Sequence, residues 1–165
     1  MIYILDAYNV IHKIPWLEAK LDEDLRSARD ALSQACENLA NRRGDISQIV
    51  LVFDGKSEYR DLPQTKSRKL KVVFSDTGET ADERISEILK SLGYSKNTMV
   101  VSDDNSVYNH ARSHKAKHMA VADFHQLLNK MTSANRVETP DKHDKHIDPK
   151  TAAQINAAYR KDLGI

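Results

Sequence analysis

The chain contains one cysteine, Cys36, among its 165 residues. A single thiol excludes an internal disulfide and a zinc site built from cysteines, and it fits a reducing compartment. An excess of charge of either sign is also missing: 25 Lys and Arg stand against 24 Asp and Glu, a formal net charge of +1. No global attraction for a polyanion follows, so a nucleic-acid surface must be local. No uncharged run approaches membrane-spanning length, and Met1 leads straight into IYILDAYN with no basic segment ahead of a long apolar one. The expectation is a soluble, cytoplasmic protein with no membrane partner. Its length suits one well-buried core with a tail rather than two domains.

Short apolar runs are present instead. IYIL (2–5), IVLVF (49–53), VVF (72–74), MVV (99–101) and the weaker HMAV (118–121) are continuous rather than alternating, which predicts buried strands of a parallel sheet covered on both faces. Helical spacing lies between them: Leu25, Ala28, Leu32, Ala35 and Leu39; then Ile85, Ile88, Leu89 and Leu92; then Phe124, Leu127, Leu128 and Met131. Alternation of strand and helix makes the class α/β. After Met131 the polar stretch TSANRVETPDKHDKHIDP reads as a linker. A short helix is expected from Asp148 and Pro149 to Gly164, its function open. The division is 1–131 as the domain and 132–165 as linker and C-terminal helix.

Four of the strand-like runs end on aspartate: Asp6, Asp54, Asp76, and Asp103 with Asp104. Ligand sites of open parallel sheets form at the carboxyl ends of strands, so neighbouring strands would bring several of these acids together. The stretch VVFSDTGETADERI adds Glu79, Asp82 and Glu83 after Asp76. Thr80 and Glu83 have the T-x-x-E spacing of a capping box, which gives Glu83 a structural role at a helix start. The same helical periodicity sends Glu83 and Glu87 toward water and puts Asp82 at the edge of the apolar stripe. Acids also favour helix N-termini for the helix dipole alone, an ordinary account that covers Glu83 and extends to Asp82.

Carboxylates held close together repel, and in a cleft they take up protons unless a cation compensates. Oxygen-only clusters suit Mg²⁺ or Mn²⁺, ions that polarise a phosphoryl oxygen and lower the pKa of bound water. The chemistry implied is phosphodiester hydrolysis.

DAYNVIH, LVFDG, VVFSDTGETADERI, VVSDDNSVYNHAR and AKHMAVADFHQLL, in that order, resemble the YacP-like NYN domain family within the PIN-like nucleases. The likeness runs from about Met1 to Met131, and the long central motif is the most specific part of it. The resemblance implies a PIN-like three-layer sandwich with a mostly parallel central sheet and a metal-dependent endoribonuclease activity. It implies Asp6 as a principal metal ligand, Asn9 as the residue orienting substrate or a metal-bound water, Asp82 as the mid-chain acid, and Asp103 and Asp104 as the late acids. Asp54 and Glu79 are further metal-site candidates. RNA is the implied partner, with mRNA in a translation or ribosome setting as an extension.

Each residue also has a plainer role. Asn9 suits the cap of a turn, Asp104 the N-cap of the helix NSVYNHAR, and Asp54 before Gly55 an ordinary turn. His143 and His146 read as linker residues. For RNA contact the candidates are Tyr8, Arg68, Lys69, Lys71, Arg84, Arg112 and Lys115, with Tyr59 or Tyr108 as further stacking rings; any basic cluster also suits a solvated face. A phosphatase of another α/β fold is disfavoured by the absence of D-x-D at the first strand. The alternative is a non-catalytic RNA- or ribosome-binding module.

Overall fold

The structure, a computed structural model, describes residues 1–55, 67–93 and 96–133. Tyr59, His143, His146, the expected linker from residue 134 on and the expected C-terminal helix lie outside the described residues. Met1–Met131 form one compact unit. In chain order the elements are β1 (Ile2–Asp6), α1 (Ala7–Lys13), α2 (Pro15–Leu21), α3 (Leu25–Arg42), β2 (Gln48–Phe53), β3 (Leu70–Phe74), α4 (Ala81–Leu92), β4 (Thr98–Val101), α5 (Asn105–Ser113), β5 (Lys117–Met119) and α6 (Val121–Ser133).

The five strands form one parallel sheet in the order β3-β2-β1-β4-β5. Successive side chains of a strand point to opposite faces, and both faces are covered. Tyr3, Leu5, Ile49, Leu51, Phe53 and Val101 pack into one core with α1, α2, α3 and α6. Ile4, Val50, Val52 and Val100 pack into a second core with Ala81, Ile85 and Leu89 of α4 and Val107 and Ala111 of α5. The class is the α/β sandwich expected, and the two-sided burial is why the strands read as unbroken apolar runs.

Helix boundaries follow local chemistry. Asp24 caps α3, its side chain accepting from the Ser27 N–H at 2.6 Å, and Pro15 opens α2 at a position where a missing N–H costs nothing. The capping box forms at α4: Thr80 Oγ1 accepts from the Glu83 N–H, while Glu83 Oε2 accepts from the Thr80 N–H at 2.8 Å. The α3 stripe is buried at Ala28, Leu32 and Leu39 as expected and departs at its first residue. Leu25 is 39% exposed, and the buried face runs through Ala28, Arg29, Leu32, Ser33, Cys36, Leu39 and Ala40.

The strand order creates the site. From β1 the chain steps outward to β2 and β3, then returns through α4 to β4 on the other side of β1. At such a switch point the helices leave the sheet on opposite faces and a crevice opens beyond the strand ends. Asp6 and Ser102 are the residues at that crevice.

Candidate active site

Asp6 ends β1 and holds the N-cap position of α1, yet its side chain makes no capping bond. Its carboxylate accepts instead from Ser102 Oγ, 3.2 Å away across the switch point. Ser102 is fully buried, and its Oγ also accepts from the Asp104 N–H at 3.0 Å. Asn9 Oδ1 accepts from the Asp103 N–H at 2.9 Å, a second bond joining the start of α1 to the end of β4. Burial pushes the Asp6 carboxyl above its ordinary value. The Ser102 hydroxyl and the Asn9 backbone amide oppose that rise, and the nearby carboxylates of Asp82 and Asp104 add to it.

The acids that follow β4 divide their work differently from expectation. Asp103 turns outward, and its Oδ1 accepts from the Val121 N–H at 2.9 Å, satisfying an amide at the start of α6. Asp104 caps α5, accepting from the Ser106 N–H at 2.7 Å, and remains close enough to act on Asp6. Asp82 and Asp104, two of the acids expected with Asp6, thus act on its carboxylate, while Asp103 is engaged at the start of α6. The reason is that each helix start needs an acceptor for its unpaired amides, and the α6 start takes the Asp103 carboxylate.

Asp54 lies beyond the end of β2, where Ser75 Oγ donates to it at 3.2 Å. Glu79 turns back onto its own loop and accepts from the Asp76 N–H at 2.8 Å. Asp76, Glu79 and Glu83 line a groove of about 510 Å³ with Ser86, Glu87, Lys90 and His110, so these acids face α4 and α5.

The basic candidates fall into two groups. Tyr8, on the first turn of α1, and Arg84, on the first turn of α4, stand at the edge of the sheet that carries Asp6; Arg84 pairs with Glu87 at 3.0 Å. Arg68, Lys69 and Lys71 are at the start of β3, hence at the opposite edge. Five residues at about 3.3 Å each separate the two edges by roughly 15 Å. Lys69 Nζ there donates to the Ala40 carbonyl near the end of α3 at 3.0 Å. Arg112 and Lys115 close α5, which runs back from the site to the same far edge. Strand and helix direction thus put these five toward the side of the sheet where strands begin, away from the strand ends that carry Asp6.

Two residues at this edge are invisible to motif reasoning. Ser102 precedes the Asp pair in VVSDD, and its hydroxyl links Asp6 to the β4 end. Arg29, only 7% exposed, extends from α3 into a box that includes the rings of Tyr8, Phe53 and Phe74, with its guanidinium carbon 5.5 Å from the centroids of Tyr8 and Phe53 and 5.7 Å from that of Phe74. Its Nε donates to the Tyr8 hydroxyl oxygen at 2.9 Å, and Nη2 donates to the same oxygen. Burying a cation costs several kcal/mol, and desolvated cation–π contacts of up to about 2 kcal/mol each, with hydrogen bonds to the charged group, offset that cost. The remaining signal in the sequence is faint: Arg29 continues the spacing of Ser33, Cys36 and Ala40 along α3.

Among the described residues, no three His, Cys, Asp or Glu side chains stand together as a ready-made metal cage. Mg²⁺ and Mn²⁺ do not require one, since such ions bind through one or two carboxylates and keep several waters. Asp6, Asp82 and Asp104 offer hard oxygen donors alone, and the carboxyl of Asp6 is pushed up by burial, with a smaller push from the Asp82 and Asp104 carboxylates. The donor set fits a hard divalent ion.

The parallel sandwich and the order of its motifs define the chain as a NYN domain. A family model for the YacP-like NYN domain matches residues 3–163, and the chain belongs to that family, which is of nuclease type. The match extends beyond Met131, where the quoted motifs stop. The Bacillus subtilis (strain 168) protein described as "Uncharacterized protein YacP" is 29% identical over 91 residues, 55% of this chain and 52% of that protein. The aligned part thus spans about half the length of that relative. Crystal structures of Rae1 (YacP) from Bacillus subtilis superpose with a TM-score of 0.65 at 20% identity, covering 99% of this chain and 91% of that one. A point mutant of the same protein gives the same TM-score and identity over 81% and 77%. At this identity the likeness establishes the fold. No helix among the described residues is long and apolar enough to cross a membrane.

Proposed function

We propose that this chain is a divalent-metal-dependent endoribonuclease that hydrolyses RNA phosphodiester bonds, with mRNA in a translation or ribosome setting as its substrate. The observation that carries this reading is Asp6: a carboxylate at the switch point, pushed up by burial, with Asp82 and Asp104 adding negative charge beside it. A site short of positive charge favours a cation over a second anion, and a phosphate is bound there only with that cation. Family membership supports the nuclease class.

Asp6 and Asp82 would hold Mg²⁺ or Mn²⁺, with Asp104 beside them. The ion supplies Lewis-acid polarisation of the phosphoryl oxygen and a bound water of lowered pKa. The chain's own groups supply position. Ser102 orients the Asp6 carboxylate through its hydroxyl. Asn9 uses its carbonyl oxygen on the Asp103 N–H, which leaves the amide NH₂ as the end that donates toward a phosphate oxygen. Arg84 and Tyr8 are the RNA-contact candidates at this edge.

The deciding experiment is incubation of labelled RNA with the purified chain in Mg²⁺, in Mn²⁺ and in excess chelator. Cleavage is expected in metal alone and is lost in folded Asp6→Asn and Asp82→Asn; full activity in chelator refutes metal dependence. Cosedimentation with ribosomes tests the translation setting separately. A second reading, a non-catalytic RNA-binding module, is favoured by the structural work that Asp103 and Asp104 perform as helix caps. RNA binding without cleavage in either metal selects it.

A further inference from the structure

We propose that Arg29 is a positioning residue of the active site: by holding the Tyr8 hydroxyl it fixes the first turn of α1, and with it the placement of Asp6 relative to Asn9. Its catalytic consequence rests on the nuclease reading above, whereas the tether itself does not.

The need for a tether follows from α1. The helix has seven residues, too few to be stable alone, and its N-cap carboxylate is shared between the Asn9 amide and the Ser102 hydroxyl rather than given over to the first turn. Asp6, Tyr8 and Asn9 all belong to this turn, so a shift of the turn moves the whole constellation. It is pinned from two flanks. On the β4 side, Asn9 accepts from the Asp103 N–H. On the β2 side, Tyr8 accepts from Arg29. Each bond spans a long sequence separation and ends on a separate element, so together they set the turn's rotation as well as its position.

Arg29 is itself held. It projects from the 18-residue helix α3, and the rings of Phe53 and Phe74, from the ends of β2 and β3, pack against its guanidinium. Tyr8 meets Phe53 edge-on at 5.2 Å, closing the box. Two N–H groups of one rigid plane converge on one phenol oxygen, a geometry that a lysine ammonium does not reproduce. The charge of Arg29 alone is therefore insufficient for the role.

The test uses the full chain carrying Arg29→Lys, Tyr8→Phe and both, with steady-state RNA cleavage in Mn²⁺ and hydrogen–deuterium exchange of the 7–10 amides. Both single variants are expected to lose about 10- to 100-fold in kcat, the cost of a small misplacement of reacting groups. KM is expected to change by less than about threefold, because the loss falls on the transition state. The double variant should be no worse than the poorer single one, since both remove the same bond. Exchange over 7–10 should quicken in each. Should Arg29→Lys fail to fold, Tyr8→Phe, which keeps the ring packing, decides. Unchanged exchange in folded Tyr8→Phe overturns the tether, and wild-type kcat with faster exchange overturns its positioning role. If the unmodified chain cleaves nothing in metal, the nuclease reading and the positioning role fall together, while faster exchange in the variants still upholds the tether.

Discussion

Ser102, buried just beyond β4, donates its hydroxyl to Asp6 at the end of β1, 3.2 Å away and 96 residues earlier in the chain. The same oxygen accepts from the Asp104 N–H, so one side chain ties together a carboxylate and the backbone that leads into α5. Ser102→Ala removes the donor that favours charged Asp6 and strips a partner from the Asp104 amide. A loss of about 1–3 kcal/mol in urea unfolding is expected, the cost of unsatisfied polar groups near a core. Stability equal to the unmodified chain would show that water replaces the hydroxyl at no cost.

Asp6 makes stability depend on pH in a stated direction. Its carboxyl is raised in the folded chain chiefly by burial, so folding favours the protonated form. The contribution is favourable below the ordinary value of 3.8 and is lost as pH rises through the folded value, beyond which the carboxylate is a penalty. Asp6→Asn is therefore expected to raise Tm at about pH 7 in chelator and to leave it unchanged near about pH 3, where the carboxyl is neutral in both states. Added Mg²⁺ should stabilise the unmodified chain and not the variant. A lower Tm for Asp6→Asn at neutral pH contradicts the electrostatic account.

Cys36 is enclosed on α3, and burial pushes its thiol up. Because the thiolate is the reactive form, a thiol reagent is expected to modify it only as fast as the chain opens, and to completion in denaturant. Cys36→Ser should cost about 1–3 kcal/mol by placing a hydroxyl in an apolar core. Rapid labelling under native conditions would place Cys36 at a mobile surface.

The sheet was legible because strands buried on both faces leave unbroken apolar runs, and the capping box at Thr80 because its two bonds require two residue types at one spacing. α1 and α2 were not legible. Each has seven residues, fewer than two full turns, and Val10, Ile11 and Ile14 carry β-branched side chains that show no helical bias. Strand-end acids could be found from the sequence, since Asp6 and Asp54 follow an apolar run directly and Asp76 and Asp103 follow one after a single serine. Their division of labour could not, because it depends on which helix start lies nearest in space. The basic residues depend on space in the same way: Arg68, Lys69 and Lys71 are close to VVFSD in sequence, but they lie where β3 begins and Asp76 follows its end. Arg29 was hidden because a charged residue beside the apolar stripe reads as facing water, although Ala28 and Leu32 next to it are buried.

Asp103 and Asp104 offer a way to separate capping from chemistry. Both side chains accept a backbone N–H at a helix start, from Val121 and from Ser106, and an asparagine oxygen accepts equally well. Asp103→Asn and Asp104→Asn are thus expected to keep their stability within about 0.5 kcal/mol, while Asp103→Ala loses about 1 kcal/mol. Activity should divide them, because Asp104 acts on Asp6 while Asp103 is turned to α6. Asp104→Asn is expected to lower RNA cleavage by about 10- to 100-fold, the usual effect of disturbing the shell around a metal site. Asp103→Asn is expected to retain most of the activity. The opposite ranking, measured at equal stability, would return Asp103 to the ligand position that the order of the motifs implies, with Oδ2 meeting the ion while Oδ1 keeps the Val121 amide.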